Sequence, residues 1–189
     1  MTNDSAAIRT AIVTGAASGI GAATVLELAR LGYCTVGIDI NFAGAQATAR
    51  KAEHLNAPVR RHLALHADVT DEPRLIAAFE EALGFLGRLD ALVTCAGVGE
   101  TTAFMDLSAD TFRRVHEVNV IGTFTCIREA ARRMRRGGRI CTVASVAGLR
   151  GGGLLGTAAY AASKGAVLAL TKNAARALGP QGICVNTLA

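Results

Sequence analysis

The sequence of 189 residues contains no tryptophan, three prolines and only 4% aromatic residues. It also lacks any apolar run of the ~20 residues that a helix needs to cross a bilayer. The N-terminal residues 1–7 are small and polar and have no apolar core of the kind that a signal peptide requires. We therefore expect a cytoplasmic protein that has no membrane partner.

Paired cysteine spacing is also missing. The five cysteines stand singly among apolar residues, with no CxxC or CxxH pattern. Such a distribution predicts neither a disulfide framework nor a metal site. The cysteines are interpreted as small buried hydrophobic residues in a reducing compartment.

The net charge of +5 comes mostly from one arginine cluster. Its members are Arg128, Arg132, Arg133, Arg135, Arg136 and Arg139. One interpretation is a nucleic-acid patch. The other is a set of cations at the C-terminal turn of one helix, where the helix dipole favours them. We adopt the second interpretation and expect no nucleic-acid partner.

What the sequence does contain is a regular alternation of strands and helices. Strands are predicted over residues 8–13, 33–39, 61–67, 89–94, 139–144 and 182–186, and helices over 19–31, 42–55, 71–87, 108–136 and 157–178. Parallel strands need crossover connections, and these are right-handed. The sequence therefore predicts one α/β domain over residues 1–189, a doubly wound parallel sheet in the order 3-2-1-4-5-6 with helices on both faces.

A glycine-rich turn, TGAASGIG over residues 14–21, joins the first strand to the first helix. Gly15 permits the tight turn, Gly19 lets the backbone approach a ligand, and Gly21 lets the helix pack closely on the strand. The free N–H groups at the start of such a helix form a site for an anion such as a diphosphate.

Other candidate residues follow the carboxyl ends of the predicted strands, the edge at which doubly wound sheets bind ligands. Asp39 ends the second strand about 20 residues beyond the turn, where a carboxylate would accept hydrogen bonds from ribose hydroxyls. Asp68, the segment 95–97 and Ser145 follow the third, fourth and fifth strands. Their common position predicts one site.

The helical pair Tyr160 and Lys164 completes a pattern that resembles the short-chain dehydrogenase/reductase family. The pattern combines the TGxxxGxG spacing from Thr14, Ser145 and this pair, and the resemblance covers nearly the whole chain. It implies a Rossmann-like fold and an oxidoreductase that interconverts a secondary alcohol and a ketone. Substrates of the 3-oxoacyl and 3-hydroxyacyl type, sugar alcohols and steroids all remain open.

The resemblance also assigns residues to roles. The catalytic set is Asn119, Ser145, Tyr160 and Lys164. The cofactor-binding set is Gly15, Ser18, Gly19, Ile20, Gly21, Asp39, Asp68, Val69, Cys95, Ala96, Gly97, Tyr160 and Lys164.

The spacing of Tyr160 and Lys164 has a chemical rationale. Residues four apart lie on one helix face, although Tyr-x-x-x-Lys also arises from ordinary amphipathicity. A phenol titrates near pH 10, so it needs nearby positive charge to exchange a proton near neutral pH. The Lys164 ammonium and an oxidised nicotinamide would both favour the phenolate. Ser145 would donate a hydrogen bond to the same substrate oxygen.

Two residues need separate comment. Asn119 falls inside a predicted helix, where asparagine is a mediocre helix former, and a solvent-facing side chain is the alternative. In the family's scheme Asn119 holds a water that links Lys164 to solvent. Cys95 is a departure, because the family usually has Asn-Asn-Ala-Gly where this chain has TCAG over 94–97. A thiol is a weak hydrogen-bonding group, which puts cofactor affinity in doubt.

Asp39 also predicts which cofactor is used. Its carboxylate would repel the 2′-phosphate of NADP. The neighbouring positions are occupied by Ala16, Ala17 and Ile40, so no Arg or Lys is present there to bind that phosphate. The expected cofactor is NAD.

The resemblance implies that helices 108–136 and 157–178 pair subunits into a homodimer or homotetramer. It also implies further chain after the sixth strand, which Ala189 closely follows. We therefore expect a chain shortened at its C-terminus. The alternative function is a nucleotide-binding fragment that is catalytically incomplete.

Overall fold

The computed structural model describes residues 8–55, 61–152 and 157–189. Six parallel strands form one sheet in the order β3-β2-β1-β4-β5-β6. The strands are β1 Thr10–Thr14, β2 Cys34–Asp39, β3 His62–His66, β4 Ala91–Thr94, β5 Arg139–Val143 and β6 Cys184–Leu188. The predicted doubly wound fold and its strand order are confirmed.

Seven α-helices lie in the described residues. They are α1 Gly19–Arg30, α2 Phe42–Glu53, α3 Glu72–Leu86, α4 Ala109–His116, α5 Thr123–Arg133, α6 Val146–Arg150 and α7 Ala158–Leu178. The sequence predicts caps at Thr70 or Asp71 and at Ser108. In the structure the Asp71 carboxylate accepts a hydrogen bond from the Arg74 N–H, and the Ser108 hydroxyl accepts one from the Thr111 N–H. No helix in this described part is long and apolar enough to cross a membrane.

The sheet is covered by helices on both faces, and its central strand β1 is buried at every position. Alternate residues along a strand point to opposite faces. On one face, Ile12 and Leu92 belong to the large core that includes Phe79 of α3 and Ile127 of α5. On the other face, Val13 packs in a smaller cluster with residues of α1.

The predicted helix over 108–136 is not continuous. It divides into α4, a π-helical turn over Glu117–Gly122, and α5, after which Met134 has an extended backbone. A π-helical turn inserts one residue into the helical repeat, a feature frequent at functional sites. Arg135 and Arg136 therefore lie beyond the helix end rather than in its last turn, which corrects part of the interpretation of the arginine cluster.

The glycines that follow Ser145 in the sequence predict a glycine-rich loop that ends near residue 156. The structure of this segment differs from that prediction. It begins with the short helix α6, which Gly151 closes in the left-handed region at φ +79. Residues 153–156, the rest of that predicted loop, lie outside the described residues, as does the polar segment 1–7. Strand β6 begins at Cys184 and ends at Leu188, two residues later at each end than predicted.

Candidate active site

A cleft of about 660 Å³ opens at the carboxyl ends of the strands, beside the central strand β1. This is the position where the strand order reverses, as expected for a doubly wound sheet. Eleven of the predicted cofactor-binding residues line it: Gly15, Ser18, Gly19, Ile20, Gly21, Asp39, Asp68, Val69, Cys95, Ala96 and Gly97. Ser145, Tyr160 and Lys164 are not part of its lining.

The glycine-rich turn has the geometry that its sequence predicts. Gly15 has φ +71, and a β-carbon there would lie 2.6 Å from the backbone nitrogen of Ala96. A β-carbon on Gly21 would lie 2.0 Å from the carbonyl oxygen of Gly15, so α1 could not pack this closely on the turn. At Gly19 a β-carbon would meet nothing within 4 Å, because this backbone faces open space.

The N-terminus of α1 is left without a side-chain cap. Ser18 makes no capping hydrogen bond, and the first turn has no acidic residue. The N–H groups at this end and the positive end of the helix dipole are therefore available to an anion in the cleft. This cradle fits the diphosphate of a dinucleotide.

Two carboxylates stand further along the cleft. Asp39 accepts hydrogen bonds from the N–H groups of Ala17 at 2.9 Å and Asn41 at 2.8 Å. A carboxylate has about four acceptor positions, so capacity remains for ribose hydroxyls. Asp68 accepts from both the N–H and the hydroxyl of Thr70, which fixes its side chain at the end of β3.

Cys95 carries a weakly hydrogen-bonding thiol at the position where the family usually has the amide of an asparagine. Burial raises the pKa of its thiol to about 11, although a hydrogen bond with Thr24 acts in the opposite direction. The thiol is therefore protonated at neutral pH. Cys95 packs with Val93 against the core cluster on the α1 face of the sheet.

Asn119 is fully buried in the π-helical turn, so the alternative of a solvent-facing side chain is wrong. Its side-chain oxygen accepts from the N–H of Val98 at 2.8 Å. Its amide nitrogen donates to the carbonyl of Val98 at 3.0 Å and to the hydroxyl of Ser163 at 2.9 Å. Asn119 therefore joins the segment after β4 to helix α7.

Lys164 connects α7 to the end of β5. The side chain is buried, and its Nζ donates a 2.7 Å hydrogen bond to the carbonyl of Val143. Burial lowers the pKa of this ammonium. Ser145 follows two residues after Val143, and its hydroxyl oxygen accepts from the N–H of Ala147 at 3.1 Å.

Several cleft residues were missed by the sequence analysis. Arg114, Glu117 and Val118 line the cleft from α4 and the π-helical turn. Their proximity to Asn119 in the sequence was an available signal. Ser163 offered none, because a serine on a helix face has no distinguishing pattern.

The arginine cluster is partly paired within the fold. The Glu129 side chain is 1% exposed and pairs with Arg128, Arg132 and Arg133. Burial alone would raise the pKa of Glu129, but the guanidinium hydrogen bonds lower it. These pairs favour a structural role for three of the arginines over a nucleic-acid patch. The described His, Cys, Asp and Glu side chains form no group that could hold a metal ion.

The model of the short chain dehydrogenase family matches residues 9–189. The chain belongs to this family. The fold and the residues gathered at the cleft agree with that membership, which implies an oxidoreductase with a nicotinamide cofactor.

Curated relatives in the family include two enzymes of acyl metabolism. A 3-oxoacyl-[acyl-carrier-protein] reductase FabG of Staphylococcus aureus is 36% identical over 184 residues, which cover 96% of this chain and 73% of the relative. A 3-hydroxyacyl-CoA dehydrogenase type-2 of Homo sapiens is 37% identical over 195 residues, covering 95% of this chain and 71% of the relative.

Solved structures of family members are also similar. A putative short-chain dehydrogenase/reductase from Burkholderia xenovorans gives a TM-score of 0.89 at 34% identity, covering 97% of this chain and 76% of the other. A short chain dehydrogenase from Burkholderia cenocepacia J2315 in complex with NADP gives 0.88 at 36% identity, covering 95% and 72%.

Proposed function

We propose that the chain is an NAD(H)-dependent oxidoreductase that interconverts a secondary alcohol and a ketone. The observation that carries the proposal is the Tyr160–Lys164 pair on α7, tied to the end of β5, together with a cleft lined by predicted nucleotide-binding residues. The names of the two acyl-metabolism relatives make 3-oxoacyl and 3-hydroxyacyl thioesters the first substrates to test.

Different residues of the chain would bind the cofactor and transfer the proton. The N-terminus of α1 would hold the diphosphate, and Asp39 the adenosine ribose. A nicotinamide cofactor held in this way would supply the hydride acceptor for the alcohol carbon and the hydride donor for the ketone carbon. Tyr160 as the phenolate takes the hydroxyl proton of the alcohol, and as the phenol returns it to the ketone oxygen.

Two further residues support this proton transfer. Ser145 donates a hydrogen bond to the substrate oxygen, where negative charge develops during the reaction. Its hydroxyl oxygen already accepts from Ala147, which orients the hydroxyl hydrogen away from that N–H. The Lys164 ammonium, 5.7 Å from the centre of the Tyr160 ring, favours the phenolate. In addition, we propose from the family resemblance that Asn119 would hold a water that links Lys164 to solvent.

The preference for NAD over NADP rests on Asp39. Its carboxylate lies in the cleft wall and is anchored to the glycine-rich turn through the Ala17 N–H. A 2′-phosphate bound beside it would place two negative charges together. A relative was crystallised with NADP, so the preference needs a direct comparison of the two cofactors.

The test is a cofactor-coupled assay with both NADH and NADPH. Ketones and 3-oxoacyl thioesters are offered in the reducing direction, and secondary alcohols and 3-hydroxyacyl thioesters in the oxidising direction. Turnover with NADH faster than with NADPH supports the proposal. The alternative, a nucleotide-binding fragment without activity, predicts that NADH binds while every substrate remains unconsumed.

We also propose that two copies pair through the outer face of α5 and α7. A groove of about 320 Å³ runs between these helices, with Phe124, Ile127 and Leu170 in its lining. An exposed apolar groove of this kind marks an interaction site, and pairing of these helices in the family supports a homodimer or homotetramer.

A cytoplasmic location is likewise a proposal, supported by five unbridged cysteines.

A further inference from the structure

A carboxylate outside the predicted site lies against the start of the catalytic helix. Glu100 follows the cleft residue Gly97 by three positions and is buried, with 7% of its surface exposed. A buried carboxylate is costly unless hydrogen bonds satisfy it. One Glu100 oxygen accepts from the N–H of Thr102, and the other accepts from the hydroxyl of Thr157. The bond from Thr157 lowers the pKa of Glu100, which favours the ionised form.

Thr157 is the residue that precedes α7, and its hydroxyl is used in an unusual way. A threonine at this position commonly caps its own helix, but Thr157 makes no such bond. Its hydroxyl donates to Glu100 instead, and its N–H donates to the Glu100 carbonyl at 3.3 Å. Because the first turn of α7 contains no acidic residue, Glu100 supplies the negative charge that the helix dipole favours there.

The segment from Gly97 to Glu100 lies against catalytic residues at one end and against the residue that precedes α7 at the other. At one end, Asn119 holds both backbone groups of Val98. A β-carbon built on Gly97 would lie 3.6 Å from Lys164 Nζ. At the other end, Glu100 holds Thr157, three residues before Tyr160 on the same helix.

We propose that Glu100 is a positioning residue for Tyr160. By fixing the first turn of α7 against the segment that forms the cleft wall, it sets the direction of the phenol relative to bound cofactor and substrate. The inference rests on the proposed acid/base function of Tyr160. Glu100 itself contacts neither cofactor nor substrate in this scheme.

The kinetic test compares Thr157→Val with Thr157→Ser, because the first removes the hydroxyl and the second keeps it. A displacement of about 1 Å costs about 100-fold in rate. We expect kcat to fall about 10- to 100-fold in Thr157→Val, with the NADH dissociation constant within about twofold of the parent. Thr157→Ser should keep nearly the parent kcat. The kcat of Glu100→Gln, which retains one acceptor oxygen, should lie between those of the two Thr157 variants. If Thr157→Val does not fold, Glu100→Gln takes its place in the comparison.

A second readout needs no turnover. The chain has two tyrosines and no tryptophan. In a Tyr33→Phe protein, tyrosine fluorescence therefore comes from Tyr160 alone. In this background we expect the fluorescence anisotropy of Tyr160 to fall in Thr157→Val and to stay unchanged in Thr157→Ser, because only the former frees the first turn of α7.

The outcomes separate this inference from the proposed function. Unchanged anisotropy in Thr157→Val, or equal losses in the valine and serine variants, overturns the positioning role. If the parent protein turns over no substrate, the proposed function fails while the anisotropy comparison still decides the role of Glu100. If the parent turns over and Thr157→Val matches its kcat, the positioning role fails and the proposed function stands.

Discussion

Lys164 Nζ lies 5.7 Å from the centre of the Tyr160 ring and donates a hydrogen bond to the carbonyl of Val143 at the end of β5. One side chain thus joins helix α7 to the sheet and places a positive charge beside the phenol. Burial lowers the pKa of the ammonium, since the charged form loses hydration. Lys164→Met should weaken NADH binding and turnover together, because it removes both the ribose contact proposed for Lys164 and the charge beside Tyr160.

Asp39 should determine the choice of cofactor. We expect the parent protein to bind NADH at least about tenfold more tightly than NADPH, a difference of about 1.4 kcal/mol. Asp39→Ala should bring this ratio towards one, because it removes the charge that repels the 2′-phosphate. Fluorescence titration with both cofactors measures the ratio. The matched control is Asp68→Ala, which should weaken both cofactors alike; equal affinities in the parent protein would remove the argument from Asp39.

Asn119 should contribute strongly to stability as well as to the site. Asn119→Ala removes three hydrogen bonds and leaves the Val98 backbone groups without these partners. We expect the free energy of unfolding in urea to fall by about 2–5 kcal/mol, because each buried unsatisfied group costs about 1–3 kcal/mol. Asn186→Ala, at an exposed position of β6, is the control and should change stability little. A similar small effect at Asn119 would contradict its observed bonding.

The α5/α7 face should hold two copies together. Phe124 is 43% exposed and lines the groove between these helices. A charge placed there would be buried by pairing, so Phe124→Asp should convert the dimer or tetramer into a monomer. Light scattering at micromolar concentration measures the mass. Phe104→Asp, at a 77% exposed position outside the groove, should leave the mass unchanged. A monomeric parent protein would refute the proposed pairing.

Stability should fall in alkaline solution because of Cys126. Burial raises the pKa of this thiol from 9.0 to about 12. The contribution of Cys126 to the free energy of unfolding is fully present below pH 9. It is lost as the pH rises towards 12, because the thiol of the unfolded chain releases its proton at a lower pH than the buried thiol does. The free energy of unfolding should therefore decrease by ~1 kcal/mol per pH unit between pH 9 and 11 from this residue.

Urea unfolding at several alkaline pH values provides the measurement. Cys126→Ala should reduce the slope without abolishing it, because burial also raises the pKa values of Cys95 and Cys141. Cys184→Ala, at an exposed site, should leave the slope unaltered. Identical slopes in the parent and Cys126→Ala would exclude the proposed titration.

The strand order and the grouping of candidate residues could be predicted because both depend on local patterns. Alternating strands and helices with right-handed crossovers leave few arrangements of a parallel sheet. Residues that follow strand ends then meet at one edge, which is why the sequence predicts that Asp39 and Asp68 lie in the same cleft.

The π-helical turn around Asn119 could not be predicted in the same way. Apolar spacing indicates a helix but does not locate a single inserted residue, and the burial of Asn119 depends on Val98 and Ser163, which are distant in sequence. The contact between Glu100 and Thr157 spans 57 positions and has no sequence signature. Helix α6, with five residues, is too short for a periodic pattern to reveal.

Comparison of kcat between the parent protein and Tyr160→Phe tests the central claim most directly. The phenylalanine ring preserves packing while removing the oxygen that we propose exchanges the proton, and Tyr33→Phe is the matched control at the only other tyrosine. We predict that kcat falls by a factor of about 10²–10⁴ in Tyr160→Phe, with NADH affinity nearly unchanged and Tyr33→Phe active. A Tyr160→Phe protein that retains the parent kcat would contradict the account.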